Sequence, residues 1–300
     1  MTPTVPASVV VPTIGRPGLL QALLESLVRC QPLPAEIVVV DQSGDDATAR
    51  VVKRFADAGA RLVACAPRGP ARAMNVGLTA AQHEAILFID DDCTVARDWA
   101  ARAADHVERD PEAIATGRVL PAGDPRAVPS VKDDDAPHDY TGEVSFSVLY
   151  SGNMAVGRSA ALGLGGFDER LLTAYDNDFC YRWLRAGRAL RYDPAMVVWH
   201  CDWRTPDELV ELYVAYARGQ GAFYAKHLRG GDFGLLRYVG RDLYAGVRSL
   251  ATVALRGTPR WADPRRGILR GLPTGLLEGW RTPAPDGDRS NGRADLALPR

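Results

Sequence analysis

The chain of 300 residues carries a formal net charge of −1, with 46% hydrophobic and 24% charged residues. This composition is typical of a globular protein, and the length suffices for one large domain or two small ones. The near-neutral charge gives no support to a nucleic-acid-binding protein. No stretch of about 18 uncharged apolar residues predicts a membrane-spanning helix.

The amino-terminal sequence MTPTVPASVVVP has no basic segment and only a short apolar run, which does not fit a signal peptide. The number of cysteines is odd, and no two of them form a C-x-x-C pair. We therefore expect reduced, mostly buried thiols in a cytoplasmic protein, and no zinc site. These cysteines are Cys30, Cys65, Cys93, Cys180 and Cys201.

The first 120 residues alternate between two hydrophobic periods. Short β-branched runs predict strands, and apolar residues at helical spacing predict helices, the first of which begins near Pro17. The strands are expected at 7–12, 36–41, 61–65, 85–90 and 113–120, and the helices at 19–28, 46–58 and 70–81. This alternation predicts an α/β fold with a mostly parallel sheet that is flanked by helices on both faces.

The remaining residues predict a long loop and then mostly helices. Residues 121–142 are rich in Pro, Asp and Gly, so we expect a surface loop that forms a lid over the site. A short strand, MVVWH, ends at His200, and the polar tail is expected to be disordered. The expected helices are 176–186, 206–228, 235–255 and 265–280.

Polar residues follow the ends of four predicted strands. They are Thr13 and Arg16, Asp41, the segment 68–75, and Asp90–Asp92. Because ligands bind at the carboxyl ends of the strands in parallel sheets, we expect a ligand site on this rim.

Three consecutive aspartates, Asp90–Asp92, follow the apolar strand AILFI. Like charges at a buried strand end repel each other and are costly to desolvate. A helix cap at Asp92, for a helix starting near Val95, explains one carboxylate and leaves the other two in solvent. A hard divalent cation explains the set better, because Mg²⁺ or Mn²⁺ binds one or two carboxylates and takes further oxygens from a diphosphate.

Two neighbouring strand ends offer contacts for a nucleotide. Asp41 is well placed to bind a ribose hydroxyl or a base N–H, although an ordinary loop aspartate is the alternative. Arg68, Arg72 and Asn75 in RGPARAMNVGL could bind phosphate or ribose, with solvated arginines at a helix start as the alternative.

The order of the motifs resembles that of the bacterial family-2 inverting glycosyltransferases with the GT-A fold. The motifs are VVVPTIGRP, EIVVVDQSGDD, RGPARAMNVGL, LFIDDDC, SGNMAVGRSAALGLGGFDERL, YDNDFCYRWLRAG and RYDPAMVVWH, over about residues 8–200. Each motif is weak alone, and the ordered set is specific. The resemblance implies a GT-A catalytic domain at 1–204, with a nucleotide-binding half at about 1–120 and an acceptor half at about 121–204. A C-terminal helical region at 205–281 and the tail at 282–300 follow.

The resemblance also implies a donor site and a metal site. The residues expected around a UDP-, GDP- or dTDP-linked sugar are Pro12, Thr13, Arg16, Asp41, Arg72, Asn75, Asp90 and Asp91. Asp92 and His200 would hold Mg²⁺ or Mn²⁺, although a buried, hydrogen-bonded histidine is the alternative for His200. Asp91 is the middle residue of the D-x-D motif, and we expect it to tolerate substitution best of the three.

The implied acceptor side consists of Ser151, Gly152, Asn153 and Tyr175. Asp176 would be the general base, and its alternative role is the N-cap of the helix that follows. The chain departs from the family pattern at two positions. Members usually carry Glu-Asp where Tyr175 and Asp176 stand, and many have arginine where Met74 stands.

The resemblance implies metal-dependent, inverting transfer of a sugar to a hydroxyl of a glycan, lipid-linked or small-molecule acceptor. Cell-surface polysaccharide, glycolipid or natural-product glycan synthesis would use such an activity. A sugar-phosphate nucleotidyltransferase is a rival, but the sequence PTIGRPG is not the Gly-rich, basic loop that it usually carries. A non-catalytic sugar-nucleotide-binding protein is the second rival, and Tyr175 is its best support.

The C-terminal helices combine arginines with Leu, Val, Tyr and Trp. This pattern fits peripheral contact of residues 235–280 with the inner face of the cell membrane. The alternative is that these helices pack on the catalytic core or on a second subunit, and the latter case would give a homodimer. The arginines are Arg237, Arg241, Arg248, Arg256, Arg260, Arg265, Arg266 and Arg270.

Overall fold

The computed structural model describes residues 3–142, 150–256 and 265–282. The chain divides into two compact units, Met1–Trp203 and Arg204–Arg300. The expected disordered tail lies outside the described residues, apart from Thr282, and so does Arg260.

The first unit is built on a sheet in which nine strands pair within the described residues. The strands are β1 (Thr4–Thr13), β2 (Leu33–Asp41), β3 (Ala60–Ala64), β4 (Ala85–Ile89), β5 (Cys93–Val95), β6 (Ile114–Ala122), β7 (His138–Thr141), β8 (Asn153–Gly157) and β9 (Ala189–Cys201). Their spatial order is β3-β2-β1-β4-β8-β6-β9-β5, and β7 pairs with β9. The strands from β3 to β4 run parallel, as predicted, and β8 runs antiparallel to β4 and β6.

Helices cover both faces of this sheet, which confirms the predicted α/β fold. Val9 and Val11 of β1 face one apolar cluster, which contains residues of the helices Pro17–Leu27 and Trp99–Arg109. Val10 faces the other cluster, which contains residues of the helices Pro70–Ala80 and Tyr175–Arg185. Successive strand residues point to opposite faces, so one strand supplies both layers. The helices of this unit are α1 (Pro17–Leu27), α2 (Asp46–Lys53), α3 (Pro70–Ala80), α4 (Trp99–Arg109), α5 (Arg158–Gly163) and α6 (Tyr175–Arg185).

Two predictions about local structure in the first half were wrong. The helix predicted at 46–58 ends at Lys53, and a 3₁₀ turn follows at Ala56–Ala58. Gly59 then adopts a φ of +83°, a conformation that glycine adopts without strain. The helix cap suggested for Asp92 is also wrong, because Cys93–Val95 is a strand and α4 begins only at Trp99.

The segment 121–142 is more ordered than the predicted loop. β6 continues to Ala122, and the backbone N–H groups of Val119 and Lys132 each donate to the other residue's carbonyl at 2.9 Å. β7 pairs antiparallel with β9 at the edge of the sheet. The segment is thus fastened to β6 and β9 at two points, so part of the expected loop is paired with the sheet.

The second unit consists of three described helices, α7 (Pro206–Arg229), α8 (Leu236–Arg256) and α9 (Arg266–Arg281), close to the predicted ranges. Thr205 and Glu208 form a capping box at the start of α7. Glycines at every fourth position of α9 face α7, and a Cβ at any of them would collide with the α7 backbone. They are Gly267, Gly271, Gly275 and Gly279. Among the described helices, none is both long and apolar enough to pass through a membrane.

Candidate active site

The carboxyl ends of β1, β2 and β4 bring the predicted rim together. Thr13 lies beside Asp41 in the register of β1 and β2, and β4 ends one residue before Asp90–Asp92. β5 then pairs with β9 so that Cys93 lies opposite His200. The turn between β4 and β5 therefore delivers the three aspartates to the histidine.

Asp91 is fully buried and holds this turn to the first strand. Its Oδ2 accepts hydrogen bonds from Thr13 Oγ1 at 2.6 Å and from Arg16 Nε at 3.2 Å. Arg16 Nη2 lies 2.6 Å from Oδ1 in an ion pair. Burial raises the pKa of Asp91 to about 7, while the positive charge of Arg16 and the Thr13 hydroxyl oppose the rise. These contacts argue against the expectation that Asp91 tolerates substitution best of the three.

Asp92 is also buried, and its two oxygens have different surroundings. Oδ2 accepts a hydrogen bond from Trp203 Nε1 at 2.7 Å and one from Arg16 Nη1 at 3.3 Å. Oδ1 lies 3.5 Å from His200 Nε2. The Arg16 guanidinium lies 5.0 Å from the centre of the Trp203 ring, which fixes the indole beside the carboxylate.

The Asp92–His200 pair fits a hard divalent cation. His200 Nδ1 lies 3.0 Å from the Cys201 carbonyl, and an N–H at this position leaves the lone pair on Nε2, towards Asp92. Two adjacent ligands of an octahedral ion, each at about 2.1 Å, lie about 3 Å apart, so the observed 3.5 Å requires little adjustment.

Cys93 adds a third ligand atom that the sequence did not suggest. Its Sγ and the ligand atoms of Asp92 and His200 all lie within 4.8 Å of one another. Burial raises the pKa of the Cys93 thiol, which keeps the sulfur protonated at neutral pH. A hard cation such as Mg²⁺ or Mn²⁺ binds a carboxylate oxygen well and a protonated thiol poorly, so Asp92 is the principal ligand in the metal assignment and His200 Nε2 the second.

Asp90 contacts the segment 150–152, which lies just beyond the undescribed residues 143–149. Tyr150 Oη donates to Asp90 Oδ2 at 2.8 Å. Burial raises the pKa of Asp90, and the nearby negative charge of Asp92 raises it further. Gly152 lies against this pair, because a Cβ there would come within 2.5 Å of Asp90 Oδ2. A side chain at this position would displace the Asp90 carboxylate or the Tyr150 ring.

Asp176 lies one residue inside the start of α6. Its Oδ1 accepts a hydrogen bond from the Asn177 N–H at 2.9 Å, and the Ser151 N–H donates to the same carboxylate. Burial raises its pKa, and these bonds oppose the rise. The N-cap of α6 is Ala174, at a φ of +58°, so the capping role suggested for Asp176 is wrong.

Lys132 approaches this carboxylate from the segment fastened to β6. Burial lowers the pKa of Lys132, and the charge of Asp176 opposes the change. The positive charge of Lys132 in turn lowers the pKa of Asp176. Ser151 also donates from its Oγ to Tyr175 Oη at 3.5 Å, which places the tyrosine next to this carboxylate.

The site thus has two ends, joined by residues 150–152. We call one the aspartate end, which comprises Arg16, Asp90–Asp92, His200 and Trp203. The other is the helix end, which comprises Asp176, Ser151 and Lys132. Tyr150 reaches the first end through its hydroxyl, and Ser151 reaches the second through its backbone N–H.

The predicted nucleotide contacts lie at neighbouring strand ends. Asp41 is buried, and its Oδ1 accepts the Ser43 N–H at 2.9 Å, while Pro12 is half-buried in β1. Arg72 donates to the Ala66 carbonyl and, from Nη1, to Glu169 at 3.0 Å.

Two residues that were predicted to contact the donor or the acceptor use their side-chain amides for hydrogen bonds inside the protein. The Asn75 amide donates to the Phe167 carbonyl at 2.9 Å and accepts the Phe167 N–H at 2.8 Å, so it fastens the loop after α5. Asn153 is fully buried, with its Oδ1 accepting from Trp99 Nε1 and its Nδ2 donating to the carbonyls of Arg118 and Met196. Its amide serves the core, which corrects its place on the acceptor side.

Besides Cys93, three residues of the site were missed from the sequence. Trp203 follows His200 by three positions, and Tyr150 directly precedes the SGN motif, so proximity to a motif was the available signal. Lys132 lies in the Pro- and Asp-rich segment, and no sequence pattern distinguished it. Met74, one of the departures from the family pattern, lies on the buried face of α3.

Comparisons of sequence place the first half of the chain in a known family. The model of glycosyl transferase family 2 matches residues 8–158, half of the chain. A pre-mycofactocin glycosyltransferase of Mycobacterium tuberculosis is 32% identical over 148 residues, which are 46% of this chain and 31% of that protein. The chain thus spans about a third of the length of this relative.

Comparisons of structure extend over most of the chain. A Pyrobaculum calidifontis mannosyltransferase in complex with GDP-Man and Mn²⁺ has a TM-score of 0.62 and 21% identity, covering 91% of this chain and 85% of its own. TarS 1-349 of S. aureus in complex with UDP has a TM-score of 0.57 and 18% identity, covering 91% of both. GalNAc-T7 with UDP, GalNAc and Mn²⁺ has a TM-score of 0.54 and 18% identity, covering 74% and 50%. These likenesses confirm the expected GT-A fold.

Proposed function

The chain belongs to glycosyl transferase family 2, and we propose that it is a metal-dependent, inverting glycosyltransferase. It moves a sugar from a nucleotide-diphosphate donor to an acceptor hydroxyl. One observation carries the proposal: the fold brings a buried Asp92–His200 pair and a separate carboxylate of raised pKa, Asp176, to one site. The arrangement supports two tasks, which are holding a diphosphate and removing a proton.

Asp176 acts as the general base in this proposal. The acceptor hydroxyl attacks the anomeric carbon, its O–H proton passes to the Asp176 carboxylate, and a new C–O bond forms. The bond from the anomeric carbon to the β-phosphate oxygen breaks, and its electron pair leaves with the nucleoside diphosphate. One displacement inverts the anomeric configuration. A raised pKa makes the carboxylate a stronger base, and such assistance contributes about 10²–10⁴-fold in rate.

Asp92 and His200 would hold the divalent cation, and Arg16 and Trp203 orient the carboxylate from its other oxygen. When bound, Mg²⁺ or Mn²⁺ supplies Lewis-acid stabilisation of the charge on the leaving diphosphate. Asp90, at the aspartate end beside Gly152, would bind ribose or sugar hydroxyls.

The donor is a UDP-, GDP- or dTDP-linked sugar. Two relatives of known structure support this class, since they were solved with GDP-Man and with UDP. Asp41 would bind the base, at the end of the strand beside Thr13. The acceptor is a glycan, a lipid-linked molecule or a small molecule, and the product serves cell-surface polysaccharide, glycolipid or natural-product synthesis in the cytoplasm.

A two-step assay tests the proposal on the full chain. Thermal shift with a panel of nucleotide sugars, with and without Mn²⁺, identifies the donor as the compound with the largest Mn²⁺-dependent rise in Tm. Release of nucleoside diphosphate is then measured over an acceptor panel. We expect release with equimolar glycosylated product, its loss under EDTA, and recovery with Mn²⁺ or Mg²⁺.

Other outcomes identify the rivals. Pyrophosphate release from a nucleoside triphosphate and a sugar phosphate would indicate a nucleotidyltransferase. Donor binding with neither transfer nor donor hydrolysis would indicate a binding protein. Transfer at an unchanged rate in EDTA would overturn the metal role of Asp92 and His200.

A further inference from the structure

One face of α8 carries apolar side chains that project into solvent. The exposed fractions are 55% for Leu236, 67% for Tyr244, 58% for Val247 and 47% for Leu250. These residues fall on one stripe at helical spacing. Large apolar side chains of this exposure on one helix stripe mark an interaction surface rather than ordinary scatter.

The opposite face of α8 accounts for the stability of the helix. Asp242 accepts a hydrogen bond from Tyr224 Oη of α7 at 2.7 Å, and Gly246 lies against Leu269 of α9. Ser249 is buried on the same side. The outward stripe is therefore not needed to hold α8 in the second unit.

A row of arginines borders the apolar stripe. Arg237, Arg241 and Arg248 are exposed and recur on the adjoining flank of the helix. Arg237 lies over the Tyr238 ring, at 4.8 Å from its centre, and Arg241 lies over the same ring at 5.0 Å. Arg241 also pairs with Asp242, with Nη2 and Oδ1 3.1 Å apart, and residues 236–256 contain four arginines against this one aspartate, so the helix is positively charged.

We propose that the α8 face, defined as Leu236, Tyr244, Val247 and Leu250 with the arginine row, binds the surface of an anionic phospholipid bilayer. The apolar stripe would enter the boundary between headgroups and acyl chains, while the arginines contact lipid phosphates. Charge complementarity selects this occupant, because a neutral apolar partner would leave the arginine row unused.

The binding of a bilayer goes beyond the proposed glycosyl transfer and does not depend on it, whereas the acceptor class named below rests on the proposed function. The sequence predicted membrane contact for residues 235–280, and the proposal narrows that range to one face of α8. An enzyme held at a bilayer surface meets an acceptor that carries a lipid anchor more often than a dissolved one, so the surface favours that acceptor class.

Co-sedimentation with vesicles tests the proposal on the full chain. Vesicles of phosphatidylcholine alone are compared with vesicles that contain about one third phosphatidylglycerol, in the absence of any donor. We expect binding to the anionic vesicles that falls steeply with added salt, since each arginine near such a surface adds about fivefold in affinity. Binding that is equal on both vesicle types would contradict the charge part of the proposal.

Two variants separate the contributions of the face. Arg237→Gln with Arg248→Gln should weaken binding about 30-fold, and Tyr244→Ser with Val247→Ser should weaken it at least tenfold. The matched controls are Arg109→Gln and Leu172→Ser, at exposed positions of the first unit, and they should bind like the unaltered chain. Circular dichroism checks that each variant is folded.

Three results would overturn the proposal. They are vesicle binding that is unchanged in both α8 variants, absence of binding to anionic vesicles, and self-association. In the last case, light scattering would show a dimer that the Tyr244 and Val247 changes dissociate, with no vesicle binding, and the face would then be an interface between two copies. The outcome is independent of the transfer assay, so a failure of either proposal leaves the other standing.

Discussion

The two ends of the site hold their carboxylates by different means. At the aspartate end, side chains from separate elements donate to Asp91 and Asp92, namely Thr13, Arg16 and Trp203. At the helix end, Asp176 accepts from backbone N–H groups and faces the charge of Lys132. The first arrangement fixes orientation, as a metal site requires. The second leaves a carboxylate of raised pKa, as a base requires.

The largest expected effect separates the two ends. Asp176→Asn should lower kcat by about 10²–10⁴-fold, because the amide cannot accept the proton. The Kd for the donor should stay nearly unchanged, because the aspartate end is intact. Transfer kinetics and calorimetry of donor binding provide the two readouts.

Asp178→Asn is the contrasting variant for this change. Asp178 is fully buried and accepts from Arg182 Nε at 2.8 Å, so its loss should cost about 1–3 kcal/mol of stability. The folded protein should keep its kcat. A fall in kcat in this variant equal to that in Asp176→Asn would remove the distinction between the two aspartates.

Asp91→Ala tests whether the aspartate end depends on its central carboxylate. Removing it takes the buried partner from Thr13 and leaves Arg16 with Asp92 alone, so we expect a loss of about 3 kcal/mol in the free energy of unfolding. Urea denaturation measures this, with Asp105→Ala on the exposed side of α4 as the control. A loss below about 0.5 kcal/mol would restore the earlier expectation that the middle residue tolerates change.

Trp203→Phe tests the orientation of Asp92 by its neighbours. The variant keeps a ring near Arg16 and loses the hydrogen bond to Asp92 Oδ2. We expect Mn²⁺ affinity, measured by electron paramagnetic resonance titration without donor, to fall about 10-fold. Trp199→Phe, on the exposed side of β9, should leave it unchanged. An unaltered affinity in the Trp203 variant would show that the indole plays no part in holding the carboxylate.

Lys132→Met has the smallest expected effect and acts at the helix end. The base works when ionised, so kcat/KM falls as pH drops through the pKa of Asp176. Burial has raised this pKa, and the charge of Lys132 lowers it. Removing that charge should therefore move the acidic limb of the pH profile to higher pH. Lys53→Met, at an exposed position of α2, should leave the limb in place. If the acidic limb stays in place in both variants, the charge of Lys132 has no effect on the pKa of the base.

Much of the fold was predictable because it rests on local periodicity. The runs VVVP and EIVVVD and the leucines of α1 specify buried strands and an amphipathic helix, and the structure places them as expected. β5 was missed since three residues, Cys93–Val95, carry too short a pattern. β7 was missed because its pairing partner, β9, is about 50 residues away and its own sequence, HDYT, is polar.

The candidate site was predictable as far as motifs mark it. Asp90–Asp92, Asp176 and His200 stand at strand or helix ends that the sequence reveals. Whether a side chain at such an end points into the core or towards a ligand depends on tertiary packing. Asn153 occupies the core, and Lys132 arrives from a segment whose sequence is typical of a loop. No local pattern contains that information.

The anomeric configuration of the product tests the central claim most directly, because the claim is a single displacement assisted by Asp176. Proton NMR would follow the anomeric signal during transfer from the donor that the thermal-shift screen identifies, before any mutarotation. We predict a first-formed product of inverted configuration relative to the donor. A first-formed product of retained configuration would require a second displacement or a different nucleophile, and would contradict the assignment of Asp176 as the base.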